Sequence, residues 1–269
     1  KDEGRSPTSF RHSMLREHGL ERGGSLTPED FERAAPRVTD ASTLELGEWT
    51  LHSTFRPGAR AVERMMQELD MGPRLDEGHL ALALARAAVR ADALKHDPTV
   101  RGSTTHISVC DGDGGVASVT LSNGEGSGYV LRDEGIQLNN FLGEEDLNPE
   151  GFFRHAPGSQ LPTMMAPTLA THPDGRVIAL GSGGANRIRS AVTRVLESLL
   201  RGDEGIEAAV RAPRVHAEGE RVWFERAGWE KPAAVEALLR EHFAELTPFD
   251  ERAFFFGGVH AVAHNGQAS

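Results

Sequence analysis

The segment from Arg101 to Asn123, RGSTTHISVCDGDGGVASVTLSN, constrains the fold more than any other part of the chain. Two runs that alternate apolar and polar residues, 105–109 and 116–121, flank the sequence DGDG at 111–114. Alternation with a period of two indicates β-strands, and small residues that tolerate positive φ close a tight turn between them. The segment therefore predicts a β-hairpin with Thr104 at the head of its first strand.

Thr104 follows Gly102 and Ser103, where irregular backbone can be strained. A hydroxyl at a strand head after Gly-Ser is the arrangement that an N-terminal nucleophile needs. The hydroxyl attacks the preceding peptide bond, the chain is cut, and the freed amine becomes the base for the same hydroxyl. An ordinary strand start also fits, because Thr-Thr pairs are common there, so the spacing alone leaves both interpretations open.

Composition limits the classes of function. The 269 residues, 38% hydrophobic and 26% charged, suffice for one large domain or two closely packed ones. No apolar run approaches the roughly 20 residues of a membrane helix, which predicts no membrane span. A net charge of -11 argues against nucleic acid or an anionic membrane surface as partner.

Cofactor signals are weak. Cys110 is the single cysteine, which excludes an internal disulfide and a thiolate metal site, and the twelve histidines show no HExxH spacing. The sequence therefore predicts neither a metal nor another cofactor. The chain starts at Lys1 without a recognisable signal peptide, so it reads as a piece of something longer and its compartment stays unknown.

Periodicity predicts several further elements. Apolar residues recur at helical spacing in 59–69, 78–95 and 232–246, whereas 43–54 alternates around Gly47 and fits one strand or a small hairpin. A predicted strand at 176–180 runs into Gly181-Ser182-Gly183-Gly184, and a helix begins near Asn186. Adjacent glycines before a helix N-terminus present bare backbone N–H groups, a geometry suited to an anion.

Six segments in a fixed order carry a family resemblance: GGSLTPEDF (23–31), TTHISVCDGDGGVASVT (104–120), GIQLNN (135–140), MAPT (165–168), GSGGANRI (181–188) and APRVH (212–216). Together they resemble the γ-glutamyltransferase (γ-glutamyltranspeptidase) family of N-terminal nucleophile hydrolases, over about Gly23 to Gly266. The resemblance implies an α+β fold, the αββα four-layer sandwich, incomplete on its N-terminal side.

The resemblance also implies self-cleavage between Ser103 and Thr104. Residues 1–103 would form the C-terminal part of a large-subunit-like region, mostly helical. Residues 104–269 would form a small-subunit-like region with the catalytic sheet, and both would share one domain. The expected product is a heterodimer of the two processed subunits, with further homo-oligomerisation left open.

By resemblance, Thr104 is the nucleophile and carries its own α-amine as base. Gly183 and Gly184 align with the backbone donors of the oxyanion hole. Ser122 falls where the family has a second threonine that supports the nucleophile.

For substrate binding, Asn123 lies beside the family's substrate-contacting asparagine. Glu144 aligns with an acidic residue for the substrate's amino group, and Thr163 with the first of two serines near its α-carboxylate. Met164 replaces the second of those serines. By resemblance, the family's arginine clamp for the carboxylate would belong to a long segment before Gly23, which we expect to be either omitted from this sequence or altered in a divergent member.

The resulting expectation is a γ-glutamyl transferase or hydrolase. It would cleave γ-glutamyl amides such as glutathione and pass the acyl group to water, an amino acid or a peptide. Another N-terminal nucleophile amidase, such as a cephalosporin-type acylase, shares the mechanism but not the pocket. A catalytically inactive homologue that serves as a binding protein is the third alternative.

Overall fold

The computed structural model describes residues 7–19, 23–34, 36–69, 72–91, 104–148, 150–202 and 205–265. The chain divides into two compact units, one of Lys1–Asp40 with Asn123–Phe141 and one of Ala41–Ser122 with Leu142–Ser269. Ser103 lies outside the described residues, so the predicted cleavage bond and the two-region division at 103/104 stay predictions. The end of the predicted helix 78–95 also lies outside them.

Seven helices and twelve strands are named here, by their bounds in the described residues. The helices are α1 (Pro7–His18), α2 (Pro28–Arg33), α3 (Pro57–Leu69), α4 (Glu77–Arg90), α5 (Arg187–Leu200), α6 (Ile206–Arg211) and α7 (Pro232–His242). The strands are β1 (Ser42–Leu46), β2 (Trp49–Ser53), β3 (Thr104–Cys110), β4 (Val116–Ser122), β5 (Val130–Leu131), β6 (Ile136–Gln137), β7 (Thr168–Thr171), β8 (Arg176–Ser182), β9 (Val215–Glu218), β10 (Arg221–Glu225), β11 (Glu245–Phe249) and β12 (Val259–Asn265).

The first unit contains α1, α2 and the short β5–β6 hairpin. The start of α2 follows from its sequence, because Thr27 and Asp30 form a reciprocal capping box and Pro28 occupies the first turn. The Tyr129 hydroxyl donates to the Glu17 carboxylate, and the Tyr129 ring meets the His18 ring edge-on at 4.7 Å. Aromatic and polar contacts thus join α1 to the segment before β5.

The second unit is built on an antiparallel sheet with strand order β1-β2-β7-β8-β12. The alternating run at 43–54 forms the β1–β2 hairpin, with Gly47 at φ +62° in its turn. Helices α3, α4 and α5 supply the apolar cover of one face. Side chains from both layers share one core, including Leu51, Met66, Leu84, Leu180 and Val192.

The β3–β4 hairpin, predicted from 101–123, packs on the other face of the sheet. Leu180 of β8 points into the helix-covered core, whereas a Cβ on the next residue, Gly181, would point at the His106 ring of β3. Because successive residues of a strand face opposite sides, β8 separates the helices from the hairpin. The unit therefore stacks helices, a five-stranded sheet and a second β layer.

A smaller sheet with order β11-β10-β9 packs with α4 and α7 around Phe224, Val235 and Leu239. The predicted helix 232–246 is wrong at its C-terminal end, because α7 stops at His242 and Leu246 belongs to β11. β11 runs parallel to β10, with Leu246 opposite Val222. The backbone is already extended at Phe243, and pairing with β10 holds the residues that follow in a strand.

Candidate active site

The predicted nucleophile faces a second hydroxyl across the hairpin. Thr104 and Ser122 are directly opposite in the antiparallel register of β3 and β4. Opposed residues of an antiparallel pair lie on the same face of the sheet, within reach of one another. The Thr104 hydroxyl donates to Ser122 Oγ at 3.2 Å, and both side chains are half-buried. The hairpin itself therefore aligns the two predicted catalytic hydroxyls.

The predicted oxyanion turn lies directly against Thr104. A Cβ built on Gly183 would lie 2.2 Å from the Thr104 carbonyl oxygen, so only glycine allows this approach. Gly184 has φ +124° and Ala185 has φ +49°, a left-handed conformation rare for alanine. Successive N–H groups in such turns converge on one side and form a concavity for an anion. The oxyanion role of Gly183 and Gly184 stays a prediction.

Gly257 closes the other side of the same turn. Its φ is +77°, and a Cβ on it would lie 2.2 Å from the Gly183 carbonyl oxygen and 3.0 Å from Ser182 Oγ. The glycine turn is thus held between Thr104 on one side and Gly257 on the other. Sequence reasoning missed Gly257, because only the tertiary fold brings it next to Gly183.

His106 fixes the hairpin and was also missed as a site residue. Its Nδ1 lies 2.7 Å from Thr120 Oγ1 and its Nε2 lies 2.8 Å from Ser108 Oγ. Burial, with the nearby His260, lowers the pKa of His106 to about 4, so the ring is neutral near pH 7. Its spacing of two from Thr104 places both on one face of β3, which is the sequence signal that could have revealed it.

The predicted substrate residues of the second unit have local partners of their own. Glu144 is buried, and its backbone oxygen accepts a hydrogen bond from Asn148 Nδ2 at 2.7 Å. Thr163 Oγ1 accepts from the Met165 N–H at 3.2 Å. A Cβ on Gly58 would lie 2.2 Å from the Met164 carbonyl oxygen, so this segment lies tightly on the start of α3.

Asn123 belongs to the first unit, although it follows Ser122 in the chain. Its side-chain amide donates to the Gln137 carbonyl at 3.4 Å, and its backbone oxygen accepts from Gly126 and Asn140. The structure therefore brings Thr104, Ser122 and Gly183 together, and the assigned roles of Asn123, Glu144 and Thr163 stay predictions.

The described part of the chain offers neither a cluster of metal ligands nor a helix suited to a membrane. No three histidine, cysteine, aspartate or glutamate side chains within it are grouped so that they could hold a metal ion. None of its helices combines the length and the apolar character needed to span a bilayer.

Layered helices and sheets, with a hydroxyl pair at a strand head beside a glycine turn, match the fold expected of N-terminal nucleophile hydrolases. The fold is similar to that of the cephalosporin acylase from Bacillus halodurans, with a TM-score of 0.74 and 18% identity. The alignment covers 94% of this chain and 56% of the acylase chain. At this identity the likeness shows the fold alone, and it confirms the predicted fold class.

Residues 80–268 match the family described as Gamma-glutamyltranspeptidase, and the chain belongs to that family. An acylase ACY 1 proenzyme from Pseudomonas sp. (strain SE83) is 33% identical over 165 residues, which are 60% of this chain and 28% of the relative. A glutathione hydrolase proenzyme from Bacillus subtilis subsp. natto is 34% identical over 119 residues, 44% of this chain and 20% of the relative. The matches span less than a third of either relative, and they confirm the predicted family.

Proposed function

We propose that the protein cleaves γ-glutamyl amides through a threonyl ester on Thr104, after cutting itself between Ser103 and Thr104. The observation that carries this proposal is the Thr104–Ser122 hydroxyl pair, 3.2 Å apart, against which the Gly183 turn is packed. Nucleophile, supporting hydroxyl and candidate oxyanion donors are the parts that acyl transfer needs. Membership of the Gamma-glutamyltranspeptidase family supports the glutamyl substrate.

Self-cleavage begins when Thr104 Oγ1 attacks the Ser103 carbonyl carbon and the peptide bond becomes an ester. Water hydrolyses the ester, which leaves a Ser103 carboxylate and a free Thr104 amine. In turnover that amine takes the proton from Oγ1 as Oγ1 attacks the γ-carbonyl carbon. The N–H groups of Gly183 and Gly184 stabilise the oxyanion.

The intermediate collapses when the leaving amine takes the proton, and a γ-glutamyl ester remains on Thr104. Water or an acceptor amine then attacks the ester and gives its proton to the Thr104 amine. The product leaves, and the Thr104 hydroxyl is regenerated. We assign Glu144 to the substrate ammonium and Thr163 to its carboxylate, and we keep Asn123 as a substrate contact on the basis of the sequence.

A second candidate is hydrolysis of the side-chain amide of a β-lactam, in the manner of a cephalosporin-type acylase. It is favoured by the acylase relative, whose match covers a larger share of this chain than the glutathione hydrolase match. Met164 favours it too, because a thioether in place of a serine cannot donate a hydrogen bond to a carboxylate. Both candidates use Thr104 in the same way.

The test compares Thr104→Ala with Thr105→Ala, its matched control. Thr105 is the next residue of β3 but is exposed and faces the opposite side. Thr104→Ala should stay uncut by intact mass and lose about 10⁴-fold or more in turnover, because the nucleophile is gone. Thr105→Ala should be cut and active.

γ-Glutamyl p-nitroanilide and a cephalosporin side-chain amide, assayed side by side, separate the two candidate activities. A Thr104→Ala protein that still cuts itself and turns over either amide would contradict the mechanism. An uncut wild-type chain without activity would favour a binding protein.

A further inference from the structure

The glycine turn and the start of α5 form one continuous piece of backbone. Helix α5 begins at Arg187, directly after the turn. The Arg187 N–H donates to the Gly184 carbonyl at 3.0 Å, and the Ile188 N–H donates to the Ala185 carbonyl at 3.1 Å. A shift of the first turn of α5 is therefore transmitted to Gly183 and Gly184.

A buried chain of polar groups ties that first turn to β9. Ser190 Oγ lies 2.7 Å from His216 Nδ1, and His216 Nε2 lies 2.9 Å from Glu218 Oε1. Ser190 is 4% exposed and His216 is 1% exposed. The Trp223 ring stacks on the imidazole with centroids 5.8 Å apart, which restricts its plane. The imidazole thus spans from α5 to β9 in a fixed orientation.

The charges around the ring assign its tautomer. Burial lowers the pKa of His216 to about 4 against the opposing hydrogen bond to Glu218, so the ring is neutral near pH 7. Burial raises the pKa of Glu218, but its hydrogen bond with His216 and the charge of Arg189, 4.0 Å away, outweigh burial, and the net pKa is lowered. The ionised carboxylate accepts from Nε2–H, which leaves Nδ1 to accept the Ser190 hydroxyl.

A hydroxyl, an imidazole and a carboxylate in this order also form the relay of a serine nucleophile. Ser190 lies in α5, which is buried along its whole length, so its hydroxyl cannot meet a substrate. These hydrogen bonds hold α5 against β9 and do not activate a nucleophile. We propose that His216 is a positioning residue, which holds the first turn of α5 on β9 and thereby holds the Gly183–Gly184 turn against Thr104. This inference rests on the proposed function, in which that turn is the oxyanion hole.

Two substitutions of His216 test the hydrogen bonds of its two ring nitrogens one at a time. The amide of His216→Asn falls near Nδ1 and can still accept from Ser190, whereas that of His216→Gln falls near Nε2 and keeps only the Glu218 contact. His216→Gln should lower kcat roughly 10- to 100-fold with KM within about threefold, because a donor that is misplaced acts mainly in the transition state. His216→Asn should stay within about threefold of wild type.

Ser190→Ala should match His216→Gln, and the double variant should lose no more than either single change, because both cut one connection. Ser198→Ala is the matched control, a buried serine of the same helix two turns further from the glycine turn. It should leave kcat unchanged. Equal losses of kcat in Ser190→Ala and Ser198→Ala, tracking their melting temperatures, would indicate a structural role and overturn the proposal.

Hydrogen exchange supplies a readout that needs no substrate. Ser190→Ala and His216→Gln should speed amide exchange in residues 183–189 about tenfold, and Ser198→Ala should not. Exchange unchanged in both variants would overturn the positioning role even in an active enzyme. A wild-type protein that turns over neither amide, yet shows the expected exchange pattern, would refute the proposed function and leave the mechanical coupling in place.

Discussion

Replacement of Gly257 by alanine should lower both the rate of catalysis and the stability of the fold. Gly257 has φ +77° and ψ 179°, a backbone conformation that essentially only glycine adopts, and it costs alanine about 1 to 3 kcal/mol. The new Cβ would lie 2.2 Å from the Gly183 carbonyl oxygen, whereas ordinary contact begins at 3.4 Å. Both atoms are bound to backbone, so no flexible side chain can move aside, and the gap must open by about 1 Å.

The Gly183 carbonyl and the Gly184 N–H belong to one planar peptide unit. A displacement of the carbonyl therefore moves a proposed oxyanion donor by a similar amount. Misplacement by about 1 Å can cost roughly 100-fold in rate, so we expect kcat to fall about 100-fold. Backbone strain and the clash together should lower stability by about 2 to 6 kcal/mol, a loss of several degrees or more in Tm for a chain of this size.

Gly258→Ala is the matched control, since it changes the next residue of the same loop. A Cβ on Gly258 meets nothing within 4 Å, and its φ lies outside the left-handed region. Steady-state turnover of γ-glutamyl p-nitroanilide and thermal melting, measured on both variants, decide the matter. If Gly257→Ala keeps kcat within threefold of Gly258→Ala while its Tm falls, the reasoning that links this contact to the oxyanion turn is refuted.

Further predictions concern the hairpin. Ser122→Ala should lower kcat about 3- to 10-fold, which corresponds to the loss of one hydrogen bond. Ser122→Thr keeps a hydroxyl and should retain the wild-type kcat in the same assay, and an unchanged rate in Ser122→Ala would count against a supporting role. In the unfolded chain His106 takes up a proton below about pH 6.5, whereas in the folded protein burial and the neighbouring His260 lower its pKa to about 4. The unfolded state therefore binds more protons between these values, and the free energy of unfolding should fall as the pH drops from about 6.5 to about 4. Denaturant titrations of His106→Asn should show a pH slope reduced by up to about 1.4 kcal/mol per pH unit, with His216 still contributing, and an unchanged slope would contradict this assignment. Gly181→Ala, whose Cβ would lie 2.3 Å from His106 Nδ1, should lower stability by about 1 to 3 kcal/mol in thermal melts, and a wild-type Tm would show that the ring is free to move.

Local signals in the sequence predicted the elements around the site. The alternation on either side of DGDG gave the β3–β4 hairpin, and the apolar spacing after the glycines gave a helix that begins within one residue of Arg187. These patterns act over one turn or one strand, where neighbouring residues set the backbone. Thr104 at the strand head and the glycine turn were therefore both accessible from the sequence.

Contacts between distant residues could not be predicted in the same way. Leu246 continues the apolar spacing of α7, yet pairing with β10 places it in a strand. Gly257 contacts Gly183 across more than 70 residues of sequence, and His216 meets Ser190 across 26. The sequence around His216 gives no sign of its distant partner, so these contacts become visible only in the fold.

The polarity of the β3–β4 hairpin explains why sequence alternation alone could not say which face is inside. Most of its apolar side chains point outward, and the exposed ones are Ile107 (43%), Val109 (52%), Val119 (44%) and Leu121 (52%). The inner face carries the hydroxyls and His106, so apolar burial contributes little to its docking on β8 and β12. Hydrogen bonds take over that role, from Ser118 Oγ to the Leu180 carbonyl at 3.0 Å and from the Ser108 N–H to His260 Nδ1 at 2.9 Å.

Directional bonds suit this position better than apolar contacts would. A slip of the hairpin by one residue, about 3.3 Å along β8, would separate each donor from its acceptor and carry Thr104 away from Gly183. Apolar contacts are non-directional and tolerate small displacements at little cost. Because its inner face is polar, the hairpin gains little free energy from apolar burial, but its hydrogen bonds fix the position of the strand that carries the proposed nucleophile.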